Sequence, residues 1–128
     1  MPGDSGSQNT ALGDFALFEN TTGNRNTATG VGALLNTIGN SNTATGASAL
    51  LYNTTGNDNT ATGDDALFHN TIGSNNTAIG WSALLINTTG NDNIAVGYYA
   101  LSNNTTGHDN IALGVSPANT SPRAVTMI

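Results

Sequence analysis

Histidine and aspartate are the residue types of this sequence that could support acid–base or metal chemistry, because the chain contains no cysteine. His69 and His108 occupy different positions of the repeat described below, and no serine or carboxylate is placed consistently beside them. Asp64 and Asp65 are adjacent, so their side chains are expected to diverge rather than to act as a general acid–base pair. We therefore predict that the chain has no catalytic residues and is not an enzyme.

Three further aspartates recur in turns, where carboxylates could bind calcium. Asp58, Asp92 and Asp109 each follow Gly-Asn or Gly-His and precede an asparagine. Calcium takes about six to eight oxygen ligands, several of them from carboxylates. One aspartate per turn is too few, so we predict a structural turn role for these residues and neither a metal nor a cofactor.

The composition argues against two classes of partner. Of 128 residues, asparagine and threonine account for 20 each, whereas lysine and arginine together number 2, and the net charge is −6. A nucleic-acid-binding protein needs basic residues to replace the counterions of the phosphates, so we expect no nucleic-acid partner. No apolar run approaches the length that spans a bilayer, so no membrane span is expected.

A sequence repeat organises most of the chain. Its Asn-Thr/Ile-Ala-x-Gly segments start at Asn9, Asn26, Asn42, Asn59, Asn76, Asn93 and Asn110. The unit reads N-T-A-x-G-x-x-A-L-x-x-N-T-T-G-N-x and has 17 residues, except for one interval of 16 in which a residue is missing after Leu35. Helical repeats need about 33 residues, so this shorter unit with two glycine-bearing turns predicts one coil of a parallel β-solenoid. The predicted fold is all-β, with about 6.5 coils, two short extended segments per coil and about 4.8 Å between coils.

The fixed positions of the unit have structural roles in such a coil. Its two glycines are expected at corners where a Cβ is not tolerated. The asparagine before Thr-Thr-Gly or Thr-Ile-Gly is expected to stack from coil to coil, with side-chain amides that hydrogen-bond along the column. These asparagines are Asn20, Asn36, Asn53, Asn70, Asn87 and Asn104.

Proline marks the expected limits of the solenoid. None lies within the repeats, and Pro117 replaces the second alanine of the last, decaying unit. Because a central strand cannot contain proline without losing a hydrogen bond, the solenoid is expected to stop near Val115. We predict a flexible lead over 1–8, the solenoid domain over 9–115 and a C-terminal extension over 116–128.

The outward-facing residues change in character along the repeat. Side chains alternate along a strand, so we place the invariant alanine of Asn-Thr-Ala inside the coil and its two neighbours outside, where they turn from threonine to aliphatic. In the second segment of the coil, another apolar residue follows the invariant leucine. On a strand these two side chains would face opposite sides, whereas a helical turn there could bury both. An exposed apolar stripe usually marks a partner, which predicts a homo-oligomer. The candidate interface residues are Ile79, Ile94, Val96, Ile111, Leu113, Phe18, Leu35, Leu51, Phe68 and Leu85.

Two units, Asn76–Gly80 and Asn93–Gly97, resemble the head repeats of trimeric autotransporter adhesins. The longer units with Ala-Leu-x-x-Asn-Thr-Thr-Gly are similar to repeats in phage tail-fibre and bacterial surface proteins. The resemblance implies a left-handed β-roll with three chains around one axis, at a cell surface or on a virion. It also implies a non-enzymatic structural or adhesive function, with a glycan or a host-surface molecule as ligand. Filament growth by end-to-end stacking is a variant of this prediction.

Two surface features leave alternatives open. Flat Thr-x-Thr arrays on solenoids resemble the ice-binding face of insect and bacterial antifreeze proteins, although threonine also suits a strand through its β-propensity. The threonines concerned are Thr27, Thr29, Thr43, Thr45, Thr60 and Thr62. At three of them, Thr29, Thr45 and Thr62, adhesin heads favour isoleucine. The aromatic residues could stack on sugar rings or fill a subunit interface, and we favour the interface. They are Phe15, Tyr52, Trp81, Tyr98 and Tyr99.

Overall fold

The computed structural model describes residues 6–115, which form one parallel β-sheet of seven short strands. The strands are β1 (Thr10–Leu12), β2 (Thr27–Thr29), β3 (Thr43–Thr45), β4 (Thr60–Thr62), β5 (Thr77–Ile79), β6 (Ile94–Val96) and β7 (Ile111–Leu113). They pair in chain order, which confirms the predicted all-β parallel solenoid. The predicted extension over 116–128 and the first five residues of the predicted lead lie outside the described residues.

The repeat sets the register of the sheet. Ala61 pairs with Ala44 in one neighbouring strand and with Ala78 in the other. Because each strand is offset from the next by one unit, equivalent residues form columns parallel to the solenoid axis. With about 4.8 Å between paired strands, the sheet extends over roughly 30 Å. We number the coils 1 to 7 by their first residues, which are Asn9, Asn26, Asn42, Asn59, Asn76, Asn93 and Asn110.

The second segment of each coil is not the extended segment that we predicted. In coil 4 it consists of three overlapping turns, Gly63–Ala66, Asp65–Phe68 and Leu67–Asn70, each closed by a backbone hydrogen bond of 3.2 or 3.3 Å. Asp65 and Leu67 have φ of 57° and 51°, in the left-handed region, which a strand cannot contain. The prediction of two extended segments per coil was therefore wrong, and a wall of turns faces the strand across the core.

The left-handed leucine decides which side chains this wall buries. Leu67 is fully buried, whereas Phe68 is only half-buried. The equivalent leucines of coils 2 to 6 all have positive φ and are buried. A left-handed conformation costs a leucine about 1–2 kcal/mol, which burial of its side chain must offset. The helical turn that would bury both apolar residues does not form.

Each complete inner coil encloses a narrow core with two alanines, one leucine and two polar side chains, to which coils 5 and 6 add a buried serine. In coil 4 these are Ala61, Ala66, Leu67, Asn59 and Asn70, none of which has exposed surface. So small an apolar core cannot by itself hold the turn backbone in place, because buried N–H and C=O groups must also be paired. The buried asparagines provide those partners.

Asn59 shows how these asparagines connect successive coils. Its backbone N–H and its Nδ2 donate to Oδ1 of Asn42 at 3.0 and 3.2 Å, and Nδ2 also donates to the carbonyl oxygen of Gly73 at 2.8 Å. Its own Oδ1 accepts the backbone N–H of Asn76 at 3.0 Å. Every buried side-chain nitrogen and oxygen within residues 6–115 has a hydrogen-bond partner. We call this column, formed by the first asparagine of each coil, the inner ladder.

The asparagine column that the sequence did predict forms a second ladder with one exception. Asn70 Nδ2 donates to Asn53 Oδ1 at 2.7 Å. In coil 2, Thr37 takes the buried position instead of Asn36, and its hydroxyl accepts from Asn53 Nδ2 at 3.3 Å. The wall of turns in coil 2 must have the same length as that in coil 3 for the two to pair. The residue that coil 2 lacks is therefore missing from the turn after Thr37. The predicted position of the gap, after Leu35, was wrong.

The two glycine columns allow the coils to approach each other. A Cβ on Gly63 would lie 2.6 Å from the carbonyl oxygen of Gly80, and the φ of Gly63 is 132°. A Cβ on Gly73 would collide with the carbonyl oxygen of Gly90 in the next coil and would lie 2.5 Å from Oδ1 of Asn70 in its own coil. Such distances are far inside van der Waals contact, which confirms the prediction that neither corner tolerates a side chain.

Candidate functional site

The outer surface of the sheet is the first candidate site, and we call it the strand face. It consists of the two columns of side chains that flank the central alanine of each strand, which is buried in β2 to β6. In β4, Ala61 is buried, Thr60 is half-buried and Thr62 is exposed, as the predicted alternation requires. Side chains are about 4.8 Å apart along a column and about 6.7 Å apart across a strand. The strand face is therefore a regular array of side chains in contact with solvent.

The half of the strand face formed by coils 2 to 4 is polar. Thr43 and Thr45 are both exposed beside the buried Ala44. The threonines of this half are the six predicted for the alternative function, namely Thr27, Thr29, Thr43, Thr45, Thr60 and Thr62. They present two adjacent columns of hydroxyl and methyl groups. This arrangement is the geometry that the ice-binding alternative requires.

The half formed by coils 5 to 7 is apolar. Ile79, Ile94 and Leu113 have exposed fractions of 42%, 40% and 59%, and Ile111 is exposed as well. Val96 lies half-buried among them. Thr77, at the start of β5, is the exception in this half. The structure thus brings together the first five predicted interface residues in one exposed patch.

The other five predicted interface residues lie elsewhere, on the wall of turns. Each follows the buried leucine of its coil, so the turn geometry directs it to the side of the wall. Phe18 is exposed, and the remaining members, Leu35, Leu51, Phe68 and Leu85, are half-buried. The first five predicted residues therefore lie on the strand face and the other five on the wall of turns, and the two sets do not form one continuous surface.

Aromatic residues form compact groups on the outside of the coils. The ring of Trp81 is stacked on that of Tyr98, with centroids 5.1 Å apart, and Tyr99 meets both rings edge to face. On the wall of turns, Tyr52 is stacked on His69 with centroids 5.0 Å apart. These groupings were not among the predictions from the sequence. The repeat alignment carries the signal, since Trp81 and Tyr98 occupy equivalent positions of successive units.

The acidic residues and histidines do not converge. Within residues 6–115, no group of three histidine, aspartate or glutamate side chains is close enough to hold a metal ion. His108 Nδ1 lies 2.7 Å from Asp109 Oδ2, and both side chains are largely exposed. Partial burial, with a smaller contribution from the charge of Asp64, raises the pKa of the Asp65 carboxyl.

The turn aspartates have the conformation that their predicted structural role requires. Asp58, Asp92 and Asp109 have φ of 55°, 57° and 57°. Aspartate and asparagine adopt this left-handed region more readily than most residues do, because their short polar side chains hydrogen-bond locally. Aspartate is therefore compatible with this turn, although Arg25 and Ser41 adopt the same conformation at the equivalent position of other coils.

A third polar column, which was not predicted from the sequence, runs along the outside of the coils. Asn24 donates its backbone N–H to Oδ1 of Asn40 at 2.9 Å, and Asn40 donates to Oδ1 of Asn57 at 2.8 Å. Ser74 and Asn91 continue the column in coils 4 and 5. The signal is the asparagine that follows the second glycine of most units. This column is partly exposed, so it both ties the coils together and meets solvent.

Neither a protein-family model, nor a curated protein, nor a solved structure matches this chain. The assignment as a parallel β-solenoid with asparagine ladders thus depends on the strand register and the hydrogen bonds described above. Among residues 6–115, no helix has the length and apolar character needed to cross a membrane. The similarity to adhesin heads and tail fibres remains a prediction from the sequence.

Proposed function

We propose that this protein is a non-enzymatic structural or adhesive module that acts outside the cell, in a surface adhesin, a phage fibre or an extracellular filament. The observation that carries the proposal is a stiff solenoid whose strand face is apolar and exposed over coils 5 to 7. Ladders of hydrogen bonds run through the inside of the coils, so the rod resists bending. In this function the rod spaces and presents binding surfaces and performs no chemistry.

Self-association along the apolar half of the strand face is part of this proposal. Burying an aliphatic side chain that is now about half exposed contributes on the order of 1 kcal/mol. Five such side chains on each chain, repeated in a symmetric assembly, add their burial free energies in favour of association. We propose a homotrimer, the assembly implied by the resemblance to adhesin heads.

The repeat itself supplies the substitution that tests self-association. The double variant Ile94→Thr, Val96→Thr converts β6 into the Thr-Ala-Thr strand that β3 already forms in the same fold. We expect the wild-type protein to sediment as a multiple of the 12.9 kDa chain and this variant to sediment as one chain. Circular dichroism would show that the solenoid is retained.

The control is Ile72→Thr, which removes an equally exposed isoleucine from a turn away from the strand face. Other coils carry threonine at this position, for example Thr55 and Thr89, so the control also preserves the fold. Its mass should equal that of the wild type. A folded wild-type protein that sediments as one chain at micromolar concentration would contradict the oligomer.

The polar half of the strand face favours a second candidate function, the binding of ice. Six threonines form two regular columns there, with the spacing given above. If these columns order water into an ice-like lattice, micromolar protein should show thermal hysteresis, and Thr45→Tyr should abolish it. Thr89→Tyr places the same ring on an exposed turn and should leave the hysteresis unchanged. The absence of hysteresis in the folded wild-type protein would rule out this candidate.

A further inference from the structure

A groove on the wall of turns is a concave feature that neither the fold nor the proposed self-association requires. It lies between coils 4 and 5 and has a volume of about 260 Å³. For comparison, roughly 150 Å³ is enough to hold benzene. The groove therefore has room for a small molecule. It is lined by Asp65, Phe68, His69, Leu85 and Ile86, and we call it the Asp65 groove.

Most of the lining is apolar and held in place by its neighbours. Phe68, Leu85 and Ile86 are half-buried side chains of two successive coils. The ring of His69 is stacked on Tyr52 with centroids 5.0 Å apart, and Phe68 meets His69 edge to face at 4.6 Å. Because these side chains already hold one another, a ligand would lose little free energy in ordering them. The groove thus presents a preformed apolar surface.

The charged group of the groove is the carboxylate of Asp65, which is half-buried. Partial burial, with a smaller contribution from the charge of Asp64, raises the pKa of this carboxyl, and no hydrogen bond or cation within residues 6–115 offsets these effects. A desolvated charge without a partner is unfavourable, so a cation placed beside Asp65 would be stabilised. The second carboxylate at Asp64 and the net charge of −6 disfavour an anion.

We propose that the Asp65 groove binds a small organic amine, with its apolar body against Phe68 and Ile86 and its ammonium group paired with Asp65. A charge-assisted hydrogen bond to a half-buried carboxylate is stronger than one at a fully exposed surface, so the ammonium adds affinity and fixes orientation. The volume suits a ring with a short arm better than the thin stem of a lysine side chain, so we assign the groove to a free amine. This inference goes beyond the proposed structural role and does not depend on self-association, because the groove is not part of the strand face.

Nuclear magnetic resonance of the isotope-labelled full chain at neutral pH tests the assignment with three matched probes. Benzylamine carries the ammonium group, benzyl alcohol is its neutral analogue, and benzoate is its anionic analogue. We expect benzylamine to shift the amide signals of Asp65, Phe68 and Ile86 and to saturate them at millimolar concentration. Benzyl alcohol should bind about tenfold more weakly because it lacks the ionic partner, and benzoate should not bind.

Variants then separate the carboxylate from the apolar lining. Asp65→Asn keeps a side chain that tolerates the left-handed turn and should weaken benzylamine binding by about tenfold, with benzyl alcohol unaffected. Ile86→Asn gives coil 5 the residue that coil 6 carries as Asn103, and it should weaken both probes by about threefold. The control is Glu19→Gln, which removes one negative charge from an exposed residue at the equivalent position of coil 1. It should bind both probes as the wild type does.

Three results would overturn the inference. The first is a folded wild-type protein whose groove signals do not respond to benzylamine at tens of millimolar. The second is equal affinity for benzylamine and benzyl alcohol, or equal affinity of the wild type and Asp65→Asn for benzylamine, since either would leave the carboxylate without a role. The third is tighter binding of Nα-acetyl-lysine methylamide than of benzylamine, which would assign the groove to a lysine side chain of a partner protein.

The assembly proposed above is tested separately. Ile94→Thr, Val96→Thr changes only the strand face, so it should bind benzylamine as the wild type does whether or not its sedimentation mass falls. The two proposals can therefore fail independently.

Discussion

The two halves of the strand face share one backbone and differ in almost every exposed side chain. β3 and β6 have the same length, the same buried alanine and the same register with their neighbours. Outside, β3 carries two threonines, whereas β6 carries Ile94 and Val96. The fold therefore accepts hydroxyl-bearing or aliphatic side chains equally well in these columns.

The comparison separates residues that the fold fixes from residues that it leaves free. Inside the coils, alanine, leucine, asparagine and glycine recur because each is fixed by a contact with the next coil. On the strand face the same backbone accepts threonine or isoleucine, so a change from one to the other tells us about what the surface meets. The apolar half is where we propose a second copy, and the polar half is where water stays in contact.

The largest effect on stability is expected from a substitution in the inner ladder, on which both halves of the strand face depend. Asn76→Ala should remove the donors that reach Asn59 Oδ1 at 3.1 Å and Gly90 O at 2.8 Å, and the acceptor for Asn93 at 3.1 Å. Each buried group left without a partner costs about 1–3 kcal/mol, so the free energy of unfolding should fall by roughly 3 kcal/mol or more. Urea denaturation followed by circular dichroism measures it.

The control for this variant is Asn91→Ala, in the partly exposed third column. Asn91 Oδ1 accepts one backbone N–H, that of Ser74, at 2.8 Å, and water can replace it there. Its effect should stay below about 1 kcal/mol. Equal losses for the two variants would mean that the inner ladder is no more important than the outer column.

A smaller effect on folding, but a clear one on assembly, is expected when the difference between the halves is erased. Thr60→Ile, Thr62→Val gives β4 the side chains of β6 and extends the apolar patch of coils 5 to 7 by one strand towards the N-terminus. If a second copy covers this patch, the concentration at half-assembly should fall by about tenfold or more. The stability of the single chain should change by less than about 0.5 kcal/mol, because both columns are on the surface. Sedimentation over a dilution series measures the first quantity, and an unchanged half-assembly concentration would contradict the assigned interface.

The period of the repeat was enough to predict the solenoid, whereas the course of the chain within each coil was not. A column of identical alanines and corner glycines can form only if successive units stack. The conformation of Ala-Leu-x depends on the left-handed φ of residues such as Leu67, which neither its residue type nor its hydrophobic pattern reveals. Thr37 gives the same lesson, because a gap in an alignment does not tell which turn has lost the residue.

The candidate sites were predictable to the extent that they follow from alternation along a strand. Ile94 and Val96 were placed outward because Ala95 lies between them, and the structure agrees. The stacking of Trp81 on Tyr98 could not be predicted in this way, since both residues follow the corner glycine, where alternation no longer applies. Their proximity comes from stacking between coils and not from spacing along one strand.

The smallest expected effect is at the boundary between the two halves, where Asp64 and Asp65 precede the first coil of the apolar half. Burial, followed by the charge of Asp64, raises the pKa of Asp65, so the folded protein binds this proton more tightly than the unfolded chain does. The free energy of unfolding should then be greatest below the ordinary pKa of aspartate and should fall as the pH rises from that value to the raised pKa.

Asp65→Asn keeps the left-handed turn and removes this decline. At pH 7 it should therefore be more stable than the wild type by about 0.5 kcal/mol or less, and at pH 3 equally stable. Asp64→Asn retains the acceptor for Ala47 and should give only part of this gain, because burial of Asp65 remains. Urea denaturation at the two pH values measures both variants, and a gain for Asp65→Asn that is as large at pH 3 would show that the turn, and not the charge, is responsible.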